Sequence, residues 1–157
     1  MAQLRIIGIM MAMIIGFAVF VHLTTKAIVP EKLDSGMISF DMSRPRAPSE
    51  SRRVKNPILV STAVIEEGKK AYLGGGCVVC HGKEGLGDGD GGIQLSPPPR
   101  DLTDANFQLL RTDGEMFWSI EHGVEGTGMF GYIPRMVSEE EAWKIVHYIR
   151  TLRRGPT

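Results

Sequence analysis

The sequence has little of what several functional classes require. Only two of its 157 residues are cysteine, too few for a disulfide-rich scaffold. It has no excess of either charge: 18 basic and 18 acidic side chains leave a formal net charge of zero. That excludes a nucleic-acid binder, which depends on a clear basic surplus. No stretch alternates apolar and polar residues in the manner of a half-buried strand. The 19 glycines and 9 prolines follow no collagen-like period, so they indicate a loop-heavy fold. The length suits one domain with an appendage. Charge is unevenly placed, with 8 basic and 4 acidic residues over 1–59 and 10 basic and 14 acidic over 60–157.

What is present divides the chain into three. Ile6 to Val21 carries no charge and is apolar on every helical face, which marks a membrane span rather than a half-buried helix. With His22 to Thr25 it reaches about 20 residues, enough to cross the hydrocarbon core. Arg5 and Lys26 flank it at headgroup depth. Thr25-Lys26-Ala27 is a poor cleavage site, so residues 1–26 are expected to form an uncleaved anchor. The flanking charges, Arg5 against Lys26 and Lys32, give no orientation vote. Residues 27–59 hold prolines at 30, 45, 48 and 57 and a basic stretch from Arg44 to Lys55. They read as an extended linker, either a solvated tether or a segment laid along an acidic partner surface.

Residues 60–157 are expected to form one small all-α domain. Ser61 can cap a helix from Thr62 to about Tyr72, and Asp113 a second one to about Glu121. Ser138 with Glu141 is a capping box. It opens a helix with Ala142, Ile145, Val146, Ile149 and Leu152 on one face, and Gly155-Pro156 stops that helix. Three short helices in so few residues cannot bury much surface, so another group should complete the core.

Cys77-Val78-Val79-Cys80-His81 supplies it. C-x-x-C-H is the attachment motif of c-type haem: two thiols three positions apart reach the two vinyl groups on one porphyrin edge, and the next residue stands under the iron. The motif uses both cysteines of the chain. A thioredoxin-like site would need a βαβ setting, and a zinc site two further ligands at matching spacing; neither is encoded.

Beyond the motif, residues 60–154 resemble the class I monohaem c-type cytochromes. The likeness runs through Gly68-Lys69-Lys70-Ala71-Tyr72, the haem-binding loop Cys77 to Gly91, the proximal loop Pro97 to Thr103, the distal loop Gly123 to Met129 and the carboxy-terminal helix from Ser138 to Leu152. It implies one covalent haem c wrapped by three or more short helices, with an imidazole and a second side chain on the iron. His81 and Met129 are the ligands that the resemblance implies, although Phe130 stands where the family typically has proline after the methionine. Met136, just before the last capping box, is the alternative. Met116, His122 and His147 read as a core residue, a helix-end residue and a surface residue. The resemblance also implies a proline carbonyl, Pro98 within its run, on the free nitrogen of His81, and a close crossing of the first and last helices at Gly68 and Tyr148. Arg100 is a candidate for a haem propionate, and Trp118, Tyr132 and Ile133 for packing on the porphyrin. Asp88 and Asp90 lie in a glycine-rich loop that lacks the ligand series of a calcium-binding hand.

These readings imply a single-electron carrier and no enzyme of its own. It is expected to be anchored in the bacterial inner membrane with its haem domain on the periplasmic side, as a subunit of a respiratory or photosynthetic complex, with no nucleic-acid partner. The alternative is a haem enzyme (a peroxidase or small-molecule reductase) or a sensor, in which the sixth iron position stays open.

Overall fold

The computed structural model describes Met11, residues 13–17, Phe20 and residues 46–154. Most of the expected anchor, the linker up to residue 45 and the last three residues lie outside the described residues. Residues 1–38 and 39–157 form two separate units. In the first, the described residues are helical and their apolar side chains, among them Ile14, Phe17 and Phe20, are exposed. Among the described residues no helix is long and apolar enough to cross a membrane.

The described part of the second unit is all-α, with five helices and no strand. They are α1 (Thr62–Gly74), α2 (Cys77–His81), α3 (Ala105–Leu110), α4 (Asp113–His122) and α5 (Glu139–Thr151). Short 3-10 turns add Ser49–Arg53 and Asp90–Gly92. Local chemistry sets the starts. Ser61 Oγ accepts the Val64 N–H and opens α1. Asp104 accepts the Phe107 N–H at 2.7 Å and opens α3, a short helix that hydropathy does not announce. A reciprocal box of Thr112 and Glu115 opens α4, so the cap is Thr112 rather than Asp113. The expected box of Ser138 and Glu141 opens α5.

The core lies where α1 crosses α5. Tyr72, Ala142, Ile145 and Val146 are fully buried there. The crossing is close because residue 68 has no side chain: a Cβ on Gly68 would fall on the Lys144 carbonyl oxygen. The partner of Gly68 is thus the backbone at Lys144, not Tyr148 as expected. Tyr148 lies one turn further on, where its ring meets that of Tyr72 with centroids 5.3 Å apart. Arg150 ties the other end of α5 down, donating to Asp113 Oδ1 and to the carbonyls of Gln108 and Arg111 at 2.6–2.7 Å.

The linker reading needs a correction for its last part. From residue 46 the chain packs on the domain. Ser51 is buried, Asn56 Nδ2 donates to the Trp143 carbonyl at 2.9 Å, and His147 Nε2 donates to the Ile58 carbonyl at 2.8 Å. This strap covers the face of α5 that carries Trp143 and His147. Both side chains are therefore sheltered, and Trp143 stacks on Phe117 with centroids 4.0 Å apart. The strap holds by backbone and polar contacts, which leave no apolar periodicity in its sequence.

Candidate haem site

The attachment motif forms a helix of its own. Gly76 and Gly82 bracket α2 with φ of +91° and +74°, a left-handed region that side chains disfavour. They let five residues make one isolated turn. In it, Cys77 and Cys80 are i and i+3 neighbours on one face.

Both cysteines and His81 line an open-mouthed cavity. Its walls are mostly apolar and come from several elements: Tyr72 from α1, Pro97 to Arg100 and Leu102 from the proximal loop, Met116 and Ile120 from α4, Ile145 and Ile149 from α5. The sequence is short of core-forming helix, and the structure builds its core around this space. Two thiols and an imidazole at one end of an apolar cavity fit a covalently attached haem.

His81 is held in one orientation. Its Nδ1 lies 3.0 Å from the Arg100 carbonyl. A carbonyl only accepts, so the proton is on Nδ1 and the lone pair is on Nε2, the metal-binding nitrogen. The acceptor is two residues beyond Pro98, the position expected for it, while Pro98 lines the cavity. The cause is the pairing of the proximal loop with the glycine loop after the motif. Leu102 N–H donates to Gly85 O at 2.7 Å and Gly87 N–H to His81 O at 2.9 Å, which draws the backbone at Arg100 up to the imidazole. The same glycine loop returns Gly89 N–H to Cys80 O. The loop braces α2, and Asp88 lies against Gly82.

Two methionines border the cavity. Met116 sits in the buried stripe of α4. Met129 sits on a loop fixed by its own backbone, with its N–H on Thr127 Oγ1 at 3.1 Å and its carbonyl accepting from Val124 at 2.9 Å. Leu95 packs where a side chain on Gly128 would go. Met136 does not border the cavity and is half exposed. Nor do His122, which stacks on Trp118 at the surface, and His147, which is held by the strap.

Of the softer candidates, Tyr132 lines the cavity and Arg100 does too, its guanidinium 5.5 Å from the Phe107 ring centroid. Trp118 does not. The face of α4 toward the cavity is Glu115, Met116, Ser119 and Ile120, and residue 118 is rotated off that stripe. Ile133 packs against the core cluster beside the site. Among the lining residues that the sequence does not signal are Phe107, Arg111 and Glu115. Arg111 and Glu115 are a buried ion pair, and charged residues at helical spacing read as a solvated face.

A protein-family model described as cytochrome c matches residues 65–153, more than half of the chain. No curated protein matches it. Among solved structures, the chain is similar to a chain of the Kuenenia stuttgartiensis reducing HAO-like protein complex Kustc0457/Kustc0458, with a TM-score of 0.54 and 26% identity. That likeness covers 73% of this chain and 54% of the other, so this chain spans about half the length of its neighbour. The attachment helix, the apolar cavity it opens on and the family match lead to one conclusion: the chain belongs to the cytochrome c family and carries covalently bound haem c, with Cys77 and Cys80 in place for the attachment.

Proposed function

We propose that this protein is a membrane-anchored single-electron carrier, held by residues 1–26 in the bacterial inner membrane, with its haem domain on the periplasmic side. In this reading His81 and Met129 would both hold the haem iron, leaving no position open for a substrate. The haem supplies one ferric/ferrous couple. The chain's residues do the rest: Arg100 O orients the imidazole, the Val124–Thr127 turn fixes the methionine, and the apolar wall keeps water out. Carrying one ligand at the end of the braced helix α2 and the other on a braced loop limits rearrangement between the two redox states, which a carrier needs.

The observation that carries the reading is Met129 on the wall of the cavity that His81 enters, on a loop tied at both its N–H and its carbonyl. The anchor is supported by the exposed apolar side chains of the helical residues Met11, Met13, Ile14, Ile15, Phe17 and Phe20 and by the charge-free run in which they lie. Work as a subunit of a larger respiratory or photosynthetic complex is supported by the structural neighbour, itself a member of a protein complex.

The test is spectroscopic. The oxidised protein should show a weak far-red methionine-to-iron band that Met129→Ala abolishes and Met136→Ala keeps. Ready, reversible carbon monoxide binding by the unaltered reduced protein would overturn the reading in favour of an enzyme or sensor with an open iron. Fractionation with membranes and co-purification with other haem proteins in mild detergent test the anchor and the subunit role.

A further inference from the structure

Glu115 is a carboxylate in an unusual place. It is 2% exposed and lies on the wall of the haem cavity. One oxygen accepts the Thr112 N–H at 2.9 Å. The other stands 3.7 Å from Arg111 on its own helix side and 3.7 Å from Arg52 on the strap. The two cations differ. Arg111 is buried, whereas the Arg52 side chain is 48% exposed. The Ser49–Arg53 turn is seated so closely on α4 that a Cβ on Gly114 would fall on the Ser51 carbonyl oxygen. The turn therefore both seals Glu115 from water and brings Arg52 to it.

We propose that Glu115 sets the reduction potential of the haem, and that the strap, through Arg52, moderates it. The proposal rests on the carrier reading above and adds a residue to it. Oxidation adds one positive charge at the iron. A carboxylate on the wall of a dry cavity favours that charged state, because electrostatic interactions are weakly screened there. Removing the carboxylate's charge disfavours the oxidised form and raises the potential. Removing the charge of Arg52 leaves the carboxylate less compensated and lowers the potential. The second shift is smaller, because Arg52 is half in water.

A purely structural role predicts something different. If Glu115 and Arg52 only hold the strap down, either substitution admits water to the cavity, and both potentials move in the same direction. The experiment is a spectroelectrochemical titration of the full-length holoprotein in detergent, with Glu115→Gln, Glu115→Asp, Arg52→Gln and Arg52→Lys. Expected is an upward shift for Glu115→Gln, a smaller downward shift for Arg52→Gln, and return toward the unaltered value in the two charge-conserving variants. Shifts of the same sign, or an unmoved potential in Glu115→Gln, overturn the proposal. Should Glu115→Gln fail to fold, Arg52→Gln against Arg52→Lys decides, and a potential that Arg52→Gln leaves unmoved or raises overturns it. Failure of the carrier reading shows separately, as a missing methionine-to-iron band in the unaltered protein.

Discussion

Gly68→Ala should destabilise the domain although it improves the helix. In isolation, alanine inside a helix is worth about 1 kcal/mol more than glycine. At residue 68, however, the added Cβ falls on the Lys144 carbonyl oxygen and reaches to 3.2 Å from the Ile145 nitrogen. Both atoms belong to the backbone of α5 and cannot swing aside, so the helices must part at the most buried place in the domain. Overpacking of this kind costs roughly 1–3 kcal/mol, and contact with backbone puts this case at the upper end. The net loss is then about 2 kcal/mol. For a domain near 100 residues each kcal/mol is worth roughly 4–8 °C, so the melting temperature falls by about 10 °C. Gly74 is the control, in the same helix and with nothing within 4 Å of its virtual Cβ. Gly74→Ala should leave stability unchanged or raise it by up to about 1 kcal/mol. Thermal unfolding of the holoprotein followed by far-ultraviolet circular dichroism reads both. A Gly68→Ala protein that melts with or above the unaltered one would refute the close-crossing argument.

Arg150→Met removes charged donors from Asp113 and from two otherwise sheltered carbonyls, Gln108 and Arg111; it should cost about 2–3 kcal/mol in urea unfolding, and a loss under about 0.5 kcal/mol would contradict the reading. Ser138→Ala removes the cap of α5 and should cost about 1 kcal/mol at pH 7. Glu141 adds a pH dependence: the Ser138 backbone N–H, then its hydroxyl, hold the Glu141 carboxyl below its usual 4.5. A folded-state value below the unfolded one stabilises above the unfolded value, so the advantage over Glu141→Gln should be complete at pH 6 and fade as pH falls through the folded value. A gap that widens in acid would reverse the assignment.

Much of the fold was legible because its determinants are local. Ser61, the box of Ser138 and Glu141, and the 3.6-residue spacing from Ala142 to Leu152 announce their helices. The C-x-x-C-H motif is equally local and specified the cofactor. What was not legible depends on tertiary contact. The Arg100 carbonyl is the acceptor for His81 because Leu102 pairs with Gly85, and no residue type signals which carbonyl a loop presents. Trp118 is a candidate for packing on the porphyrin by sequence, but the phase of α4 turns Met116 and Ile120 to the cavity instead. The strap from residue 46 to 58 binds through Asn56, the Ile58 carbonyl and the space at Gly114, contacts that hydropathy cannot see. Buried Arg111 and Glu115 look like a solvated pair until the strap closes over them.

The central claim is one haem bound through two thioether bonds to α2. Tryptic digestion after acid–acetone extraction isolates the peptide Ala71–Lys83, which contains both cysteines. That peptide should keep the pigment and weigh one haem more than its amino acids, and Cys77→Ala/Cys80→Ala should abolish the gain. Colour lost entirely to the acetone, with the peptide at its bare amino-acid mass, would contradict the account.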